Sequence, residues 1–288
     1  MIEVSRLADM RAWSRSERAA GRRVALVPTM GYLHEGHLRL VDRARALADV
    51  VAVSVFVNPL QFGPTEDLSR YPRDLERDRT LAQERGVDAL FIPAGADMYP
   101  SPPVVRLDPG PMAQSLEGAA RPGHFAGVLT VVAKLFHVAE PDVAVFGRKD
   151  FQQAMLVRRM AADLDFPLQV EIAPTVRELE GLALSSRNAY LSADDRRAAL
   201  ALSRCLREVE RAWRGGQANP AALQARGLEV LAVPGVAPEY LAFVDETMQP
   251  VDRVTQTTVA VLAARVGATR LIDNVLMGEG VGADPTAR

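Results

Sequence analysis

The first half of the chain alternates short apolar runs with segments of helical spacing, and this alternation restricts the architecture more than any other feature. RRVALVPT (22–29), DVVAVSVFVN (49–58), VDALFIP (87–93) and DVAVFG (142–147) are rich in Val, Ile and Phe. They read as strands buried on both faces. Residues 37–48, 75–85 and 126–138 repeat apolar positions every three or four residues and read as helices between the strands. Parallel strands need crossovers of this kind, so the pattern predicts an α/β fold with a Rossmann-like parallel sheet. PLQVEIAPTVRE (167–178) reads as a further strand leading out of that sheet. After about Thr175 the character changes to a helix from about Asp194 to Trp213, a GGQANP break and a helix to about Leu231. Three strands follow in EYLAFVDE, TTVAVLAARV and TRLIDNV. The expected organisation is two domains, a catalytic 1–175 and a smaller α+β 176–288. The Pro/Gly-rich stretches 93–111 and 278–288 are expected to be loop and tail.

Composition narrows the function classes. The chain has 34 Lys+Arg against 36 Asp+Glu, and a net charge of −2 gives no broad attraction for a nucleic-acid backbone. Aromatic residues make up 6%, too few for a base-stacking platform. No apolar run approaches the roughly 18 residues needed to span a bilayer. The opening MIEVSRLADM lacks the basic and apolar blocks of a signal peptide. A single cysteine, Cys205, allows no internal disulfide and suits a reducing compartment. The expectation is a cytoplasmic protein without membrane or nucleic-acid partners. Only Lys134 and Lys149 are lysines among the 34 basic residues. A lysine kept against such a bias points to a need for a compact point charge, which draws attention to Lys149.

Four segments can carry chemistry. PTMGYLHEGH (28–37) follows a strand and places His34 just before a helix and His37 on its inward face, in line with Leu40, Ala44 and Leu47. A helix start already offers free N–H groups, and imidazole donors beside them suit phosphate oxygens. Gly31 and Gly36 would let a nucleotide approach the backbone. The alternatives are two polar residues at an ordinary helix start, or half of a zinc site, for which His124, His137 and Cys205 are the remaining ligands. VAVFGRKDFQQ (143–153) repeats the strand–glycine–helix arrangement, with Lys149 placed to meet phosphate and Gln153 four residues further on. A solvated helix start is the alternative. RELEGLALSSRNAYLS (177–192) clusters Ser185, Ser186, Arg187 and Asn188 in a loop before a helix capped by Ser192, a set able to grip pyrophosphate. SVFVNPLQFGPTEDLSRYPRD (54–74) ends a buried strand in Asn58 and Gln61, neutral amides able to orient a small hydroxy acid. An Asn-Pro turn is the plainer reading. Cys205 is expected in the core, and the arginine-rich stretches 15–23 and 204–214 as solvated faces.

Taken together, these segments resemble the pantothenate synthetase family, the pantoate–β-alanine ligases of coenzyme A biosynthesis. VPTMGYLHEGH, SVFVNPLQFGPTEDLSRYPRDLERD, LEGAARPGHFAGVLTVVAKLF, PDVAVFGRKDFQQ and ELEGLALSSRNAYLS occur in family order, and the resemblance weakens beyond about residue 195. It implies condensation of pantoate with β-alanine through pantoyl adenylate, with ATP as co-substrate, Mg2+ beside it and no prosthetic group. By the same resemblance His34, His37, Lys149, Ser185 and Arg187 are catalytic. ATP would further contact Met30, Gly36, Gly147, Asp150, Val176, Leu184 and Ser186. Pro28, Thr29, Met30, Gln61 and Gln153 would hold pantoate, and Asp78 would help place magnesium. A homodimer and a closing second domain are also implied. Arg148, Phe151 and Glu180 depart from the family's usual Glu, Tyr and Asp, and Arg148 reverses a charge beside the phosphate lysine. Two other readings remain. One is a relative that adenylates a different acid or transfers a nucleotide, and the other is a non-catalytic synthetase-like RNA-binding module.

Overall fold

The computed structural model describes residues 1–64 and 66–282. The chain divides into two compact units, Met1–Gly147 with Gln152–Ala173, and Arg148–Phe151 with Pro174–Arg288. This differs from a simple cut at 175/176, because the short Arg148–Phe151 turn packs with the later residues.

The first unit is a six-stranded parallel sheet in the order β1-β4-β3-β2-β5-β6. Its strands are β1 (Ile2–Val4), β2 (Val24–Thr29), β3 (Val50–Val55), β4 (Ala89–Phe91), β5 (Val143–Gly147) and β6 (Gln169–Ala173). The crossovers are α2 (Glu35–Arg45), α3 (Leu75–Glu84) and α6 (His124–Ala139), and α7 (Phe151–Asp163) precedes β6. Val24 to Val27 and Val50 to Val53 are buried throughout, as expected of strands covered on both faces. Leu40, Val41 and Ala44 of α2 pack on Ala25, Val27, Val51 and Val53. Leu47, expected on that helix face, lies beyond the helix end.

Two elements were not expected from periodicity, β1 and the helix α1 (Leu7–Ala19). α1 buries only Met10 and Ser14, so its apolar stripe is too thin to stand out in sequence. Its placement depends on polar contacts: the Ser14 hydroxyl donates to the Ala139 carbonyl, and Arg15 and Arg18 bind Glu140. The stretch 93–111 is mostly irregular, as expected, but includes α4 (Gly95–Met98). α5 (Leu116–Ala120) precedes α6.

The second unit holds α8 (Ala193–Arg214) and α9 (Pro220–Leu231) against an antiparallel sheet of β7 (Val236–Val244), β8 (Val259–Val266) and β9 (Thr269–Leu276). Ser192 caps α8 by accepting the Asp195 N–H at 3.1 Å. Leu202, Cys205, Leu206 and Val209 form its inward stripe, so Cys205 is a core residue. The start of the expected tail is packed rather than loose. Val281 is buried, Arg207 donates to its carbonyl at 3.2 Å, and Arg214 donates to the Gly278 carbonyl at 2.6 Å. These two arginines are therefore partnered, not merely solvated. The rest of the expected tail, 283–288, lies outside the described residues. No helix among the described residues is long and apolar enough to cross a membrane.

Candidate active site

In the first unit the sheet opens its own crevice. β2 pairs with β3 through Thr29 and Val55, but with β5 only at Ala25–Val143 and Leu26–Ala144. Pro28 has no N–H to extend the ladder, so the two strands part toward their carboxyl ends. The chain order also reverses between β2 and β5. Ligands of open α/β sheets bind outside the strand ends at such a switch point. Pro28, Thr29 and Met30 are half-buried there, and Gly147 ends β5.

The β2–α2 turn is built by long-range contacts. Thr29 Oγ1 donates to the Ser54 carbonyl at 2.7 Å and accepts the Gly31 N–H at 3.1 Å. Gly31 has φ +83°, and a Cβ would lie 2.8 Å from Val55 Cγ1 and 2.9 Å from Asp78 Oδ2, so only glycine fits. Asp78 accepts the Tyr32 N–H at 2.8 Å and the Leu33 N–H at 2.6 Å. Burial raises its carboxyl pKa, while the two backbone donors oppose the rise. Asp78, which the family resemblance implies near magnesium, is 1% exposed and has both oxygens engaged by the turn, so it staples the histidine segment. Among the described residues no group of three or more His, Cys, Asp or Glu is gathered.

His34 caps α2 in an extended conformation, followed by Glu35, Gly36 and His37 in the first turn. The His34 N–H points at His37 Nδ1 at 3.3 Å, and the two rings lie 4.0 Å apart. With Nδ1 accepting, the proton of neutral His37 sits on Nε2. A helix start of this kind presents backbone donors of the sort that suit anions.

The 3₁₀ turn Pro59–Gln61 carries the second expected cluster. Asn58 Oδ1 accepts from Tyr99 Oη at 2.9 Å and from the Leu60 N–H at 3.3 Å. Its amide nitrogen is thereby turned toward Gln61 Oε1 and the Gly127 carbonyl, both at 3.1 Å. With its oxygen engaged, Gln61 presents Nε2 2.9 Å from Met30 Sδ. The arrangement joins Gln61 to Met30 and makes its outer end a donor. Burial pushes the Tyr99 phenol up to about 12, so it stays protonated and donating near neutral pH. Lys134, the other lysine, sits 5.6 Å from the Tyr99 ring centroid. Of the adjacent glutamines, Gln152 is a structural tie, accepting the Glu117 N–H and donating to the Met112 and Ser115 carbonyls. Gln153 is half-buried at the start of α7.

The second unit carries the other expected groups. Asn274 on β9 donates to the carbonyls of Arg148 and Lys149, each at 2.9 Å, fixing the turn that bears Lys149 and Asp150. Lys149 Nζ lies 3.6 Å from Asp150. Arg148 pairs with Glu279, which offsets the charge reversal noted in sequence. Arg177, 3% exposed, grips Asp273 with two bonds of 2.6 and 2.7 Å and also reaches the Gly181 and Asn274 carbonyls. The Leu184 N–H donates to the Val176 carbonyl at 3.0 Å, drawing the loop into a hairpin-like turn. The Arg187 N–H then points at Ser185 Oγ, Ser186 is buried, and Asn188 donates to the Ala183 carbonyl at 3.0 Å. Neighbouring residues of β9 thus hold both the lysine turn and the serine loop. Sequence reading missed Arg177, Asp273 and Asn274. The one available signal was a charged–amide pair, Asp273–Asn274, inside an apolar strand.

An α/β sheet opened at its switch point, with paired histidines at a helix start and an amide directed at Met30, is an arrangement of the nucleotide-binding α/β class. The family model for pantoate-beta-alanine ligase matches residues 3–276. The pantothenate synthetase of Rhizobium etli is 52% identical over 90% of this chain and 88% of its own. That of Pelotomaculum thermopropionicum is 47% identical over 97% and 100%. The crystal structure of pantothenate synthetase from Thermus thermophilus superposes with a TM-score of 0.91 at 50% identity, covering 96% of this chain and 99% of that one. A Francisella tularensis pantoate-beta-alanine ligase, solved with beta-gamma ATP and beta-alanine, gives 0.82 at 34% identity, covering 98% and 100%. The chain belongs to the pantoate-beta-alanine ligase family.

Proposed function

We propose that this chain condenses (R)-pantoate with β-alanine, converting ATP to AMP and pyrophosphate through an enzyme-bound pantoyl adenylate. A carboxylate oxygen of pantoate attacks the α-phosphorus of ATP. The bond from that phosphorus to the bridging oxygen breaks, and pyrophosphate leaves with the electron pair. The amine of β-alanine then attacks the acyl carbon, AMP departs, and the nitrogen loses a proton to give the amide.

The barrier in the first step is electrostatic, since an anion approaches a polyanion. Preorganised donors aimed at the developing charge lower it. His37, through Nε2–H, and His34 with the Gly36 turn meet the α-phosphate. Lys149 supplies a point charge, and Ser185, Ser186 and Arg187 receive the leaving pyrophosphate. Met30, Gly147, Asp150, Val176 and Leu184 border the nucleotide. Pro28, Thr29, Met30, Gln61 and Gln153 orient pantoate, and Gln61 donates to an acceptor oxygen of the acid. Magnesium bound together with ATP would offset part of the phosphate charge. The enzyme works as a cytoplasmic homodimer in this reading.

The single observation that carries the proposal is the directed amide of Gln61, oriented by Asn58 and set beside Met30, in a chain of this family. A neutral donor grips an acid without neutralising the carboxylate that must attack. The test measures AMP and pyrophosphate release from ATP and magnesium with pantoate, adding or omitting β-alanine, for wild type and Lys149→Ala. Multiple turnover and pantothenate formation only with both substrates, largely lost in the variant, are expected. Wild type that neither turns over nor forms bound adenylate with pantoate would overturn the assignment of the acid.

A further inference from the structure

We infer that His124 is a positioning residue for the acid site, holding the backbone of Gln61 through a neutral imidazole whose proton sits on Nδ1. The inference rests on the reading of Gln61 as a pantoate-binding residue.

His124 begins α6 and is 8% exposed. Its Nε2 lies 2.9 Å from Arg121 Nη1, and its Nδ1 lies 2.8 Å from the Gln61 carbonyl. A guanidinium only donates, so Nε2 must accept, and neutral imidazole then has its proton on Nδ1. The Gln61 carbonyl is an acceptor and receives it. Arg121 selects the tautomer and is itself held by Glu66, with bonds of 2.8 and 2.7 Å. Burial and the adjacent Arg121 charge push the imidazole down to about 4, so the neutral form prevails near neutral pH.

Other contacts place α6 directly on the same backbone. A Cβ on Gly127 would lie 2.7 Å from Gln61 N and nearer still to the Leu60 carbonyl. The Gly127 carbonyl also accepts from Asn58. Gln61 is therefore fixed at two ends, its side-chain oxygen by Asn58 and its main-chain carbonyl by His124 at 2.8 Å, with a longer contact of 3.4 Å from Arg121 beside it. Loss of the second tie lets the residue rotate about its backbone while the histidine turn at α2 keeps its own supports, Thr29 and Asp78. The consequence falls on the acid and not on the nucleotide.

The test compares His124→Phe, which keeps an aromatic ring without either nitrogen, with His124→Asn, whose amide can donate from near the Nδ1 position. Wild type is measured first, because failure of pantoate to support its turnover refutes the parent reading rather than this one. The expected result for His124→Phe is a pantoate KM raised about tenfold, the equivalent of one hydrogen bond, with the ATP KM changed less than about twofold. His124→Asn should return the pantoate KM to within about threefold of wild type. Equal rises in both KM values, no rise, or an Asn variant as impaired as Phe would overturn the inference. If His124→Phe does not fold, Glu66→Gln decides. A selective rise in pantoate KM supports the positioning role, and an unchanged pantoate KM refutes it.

Discussion

Gly127→Ala tests how closely the acid site depends on backbone contact. Gly127 sits within α6, where alanine ordinarily stabilises a helix by about 1 kcal/mol over glycine. Here the new methyl would meet the Leu60 carbonyl and Gln61 N, the latter at 2.7 Å where ordinary contact begins near 3.4 Å. α6 cannot retreat freely, because Val128, Leu129, Val131 and Val132 are buried behind it. The Leu60–Gln61 segment must move instead. Overpacking of this kind costs about 1–3 kcal/mol, which outweighs the gain in helix propensity, so Tm should fall by several degrees. Under the role proposed for Gln61, a displacement approaching 1 Å costs about 100-fold in rate. Thermal melts and pyrophosphate release over a pantoate series read the two effects separately. A variant with raised Tm and wild-type kcat/KM for pantoate would show that the segment has room, and the argument would be refuted.

Three further predictions concern the supports of the site. Asp78→Asn leaves one of the Tyr32 and Leu33 amides facing an NH2 group, a cost of about 1–3 kcal/mol. kcat should fall while the magnesium half-saturation stays unchanged, and a raised magnesium requirement would restore the metal role. Arg177→Met strands a buried Asp273 carboxylate and should destabilise the protein by about 3–5 kcal/mol in denaturant titrations, whereas replacing both partners with apolar residues should cost far less. The His124 pKa is lowered in the fold, so the unfolded chain binds the proton first as pH falls. Stability from this group is therefore complete above 6.5 and is lost as pH drops toward about 4, by about 3 kcal/mol, with Arg121, Glu66 and Glu117 as the charged neighbours. Chemical denaturation across that range should show a slope that His124→Asn removes.

Much of the molecule was readable locally. Val24–Thr29 and Val50–Val55 declare themselves as buried strands because every side chain is apolar or small. Ser192 declares a helix start because its hydroxyl serves an N–H three residues away. The paired histidines follow the same logic, since strand, glycine turn and helix start lie within ten residues. Asn58 and Gln61 were visible as amides at a strand end, but not the direction in which Gln61 donates. That direction depends on Tyr99, 41 residues from Asn58, and on Gly127, 69 residues from it.

Asp78 marks the boundary between the two kinds of knowledge. Its acidity was legible, and the resemblance placed it near magnesium. Only the fold turns both oxygens onto amides 45 and 46 residues earlier. His124 reaches Gln61 across 63 residues, Arg177 reaches Asp273 across 96, and Asn274 reaches Lys149 across 125. The sequence by itself determined the strands, helices, turns and caps, because periodicity and capping are properties of neighbouring residues. Tertiary structure decided which polar group serves which, because strand order and helix placement bring distant donors and acceptors within hydrogen-bonding distance, and a hydrogen bond acts only at that short range.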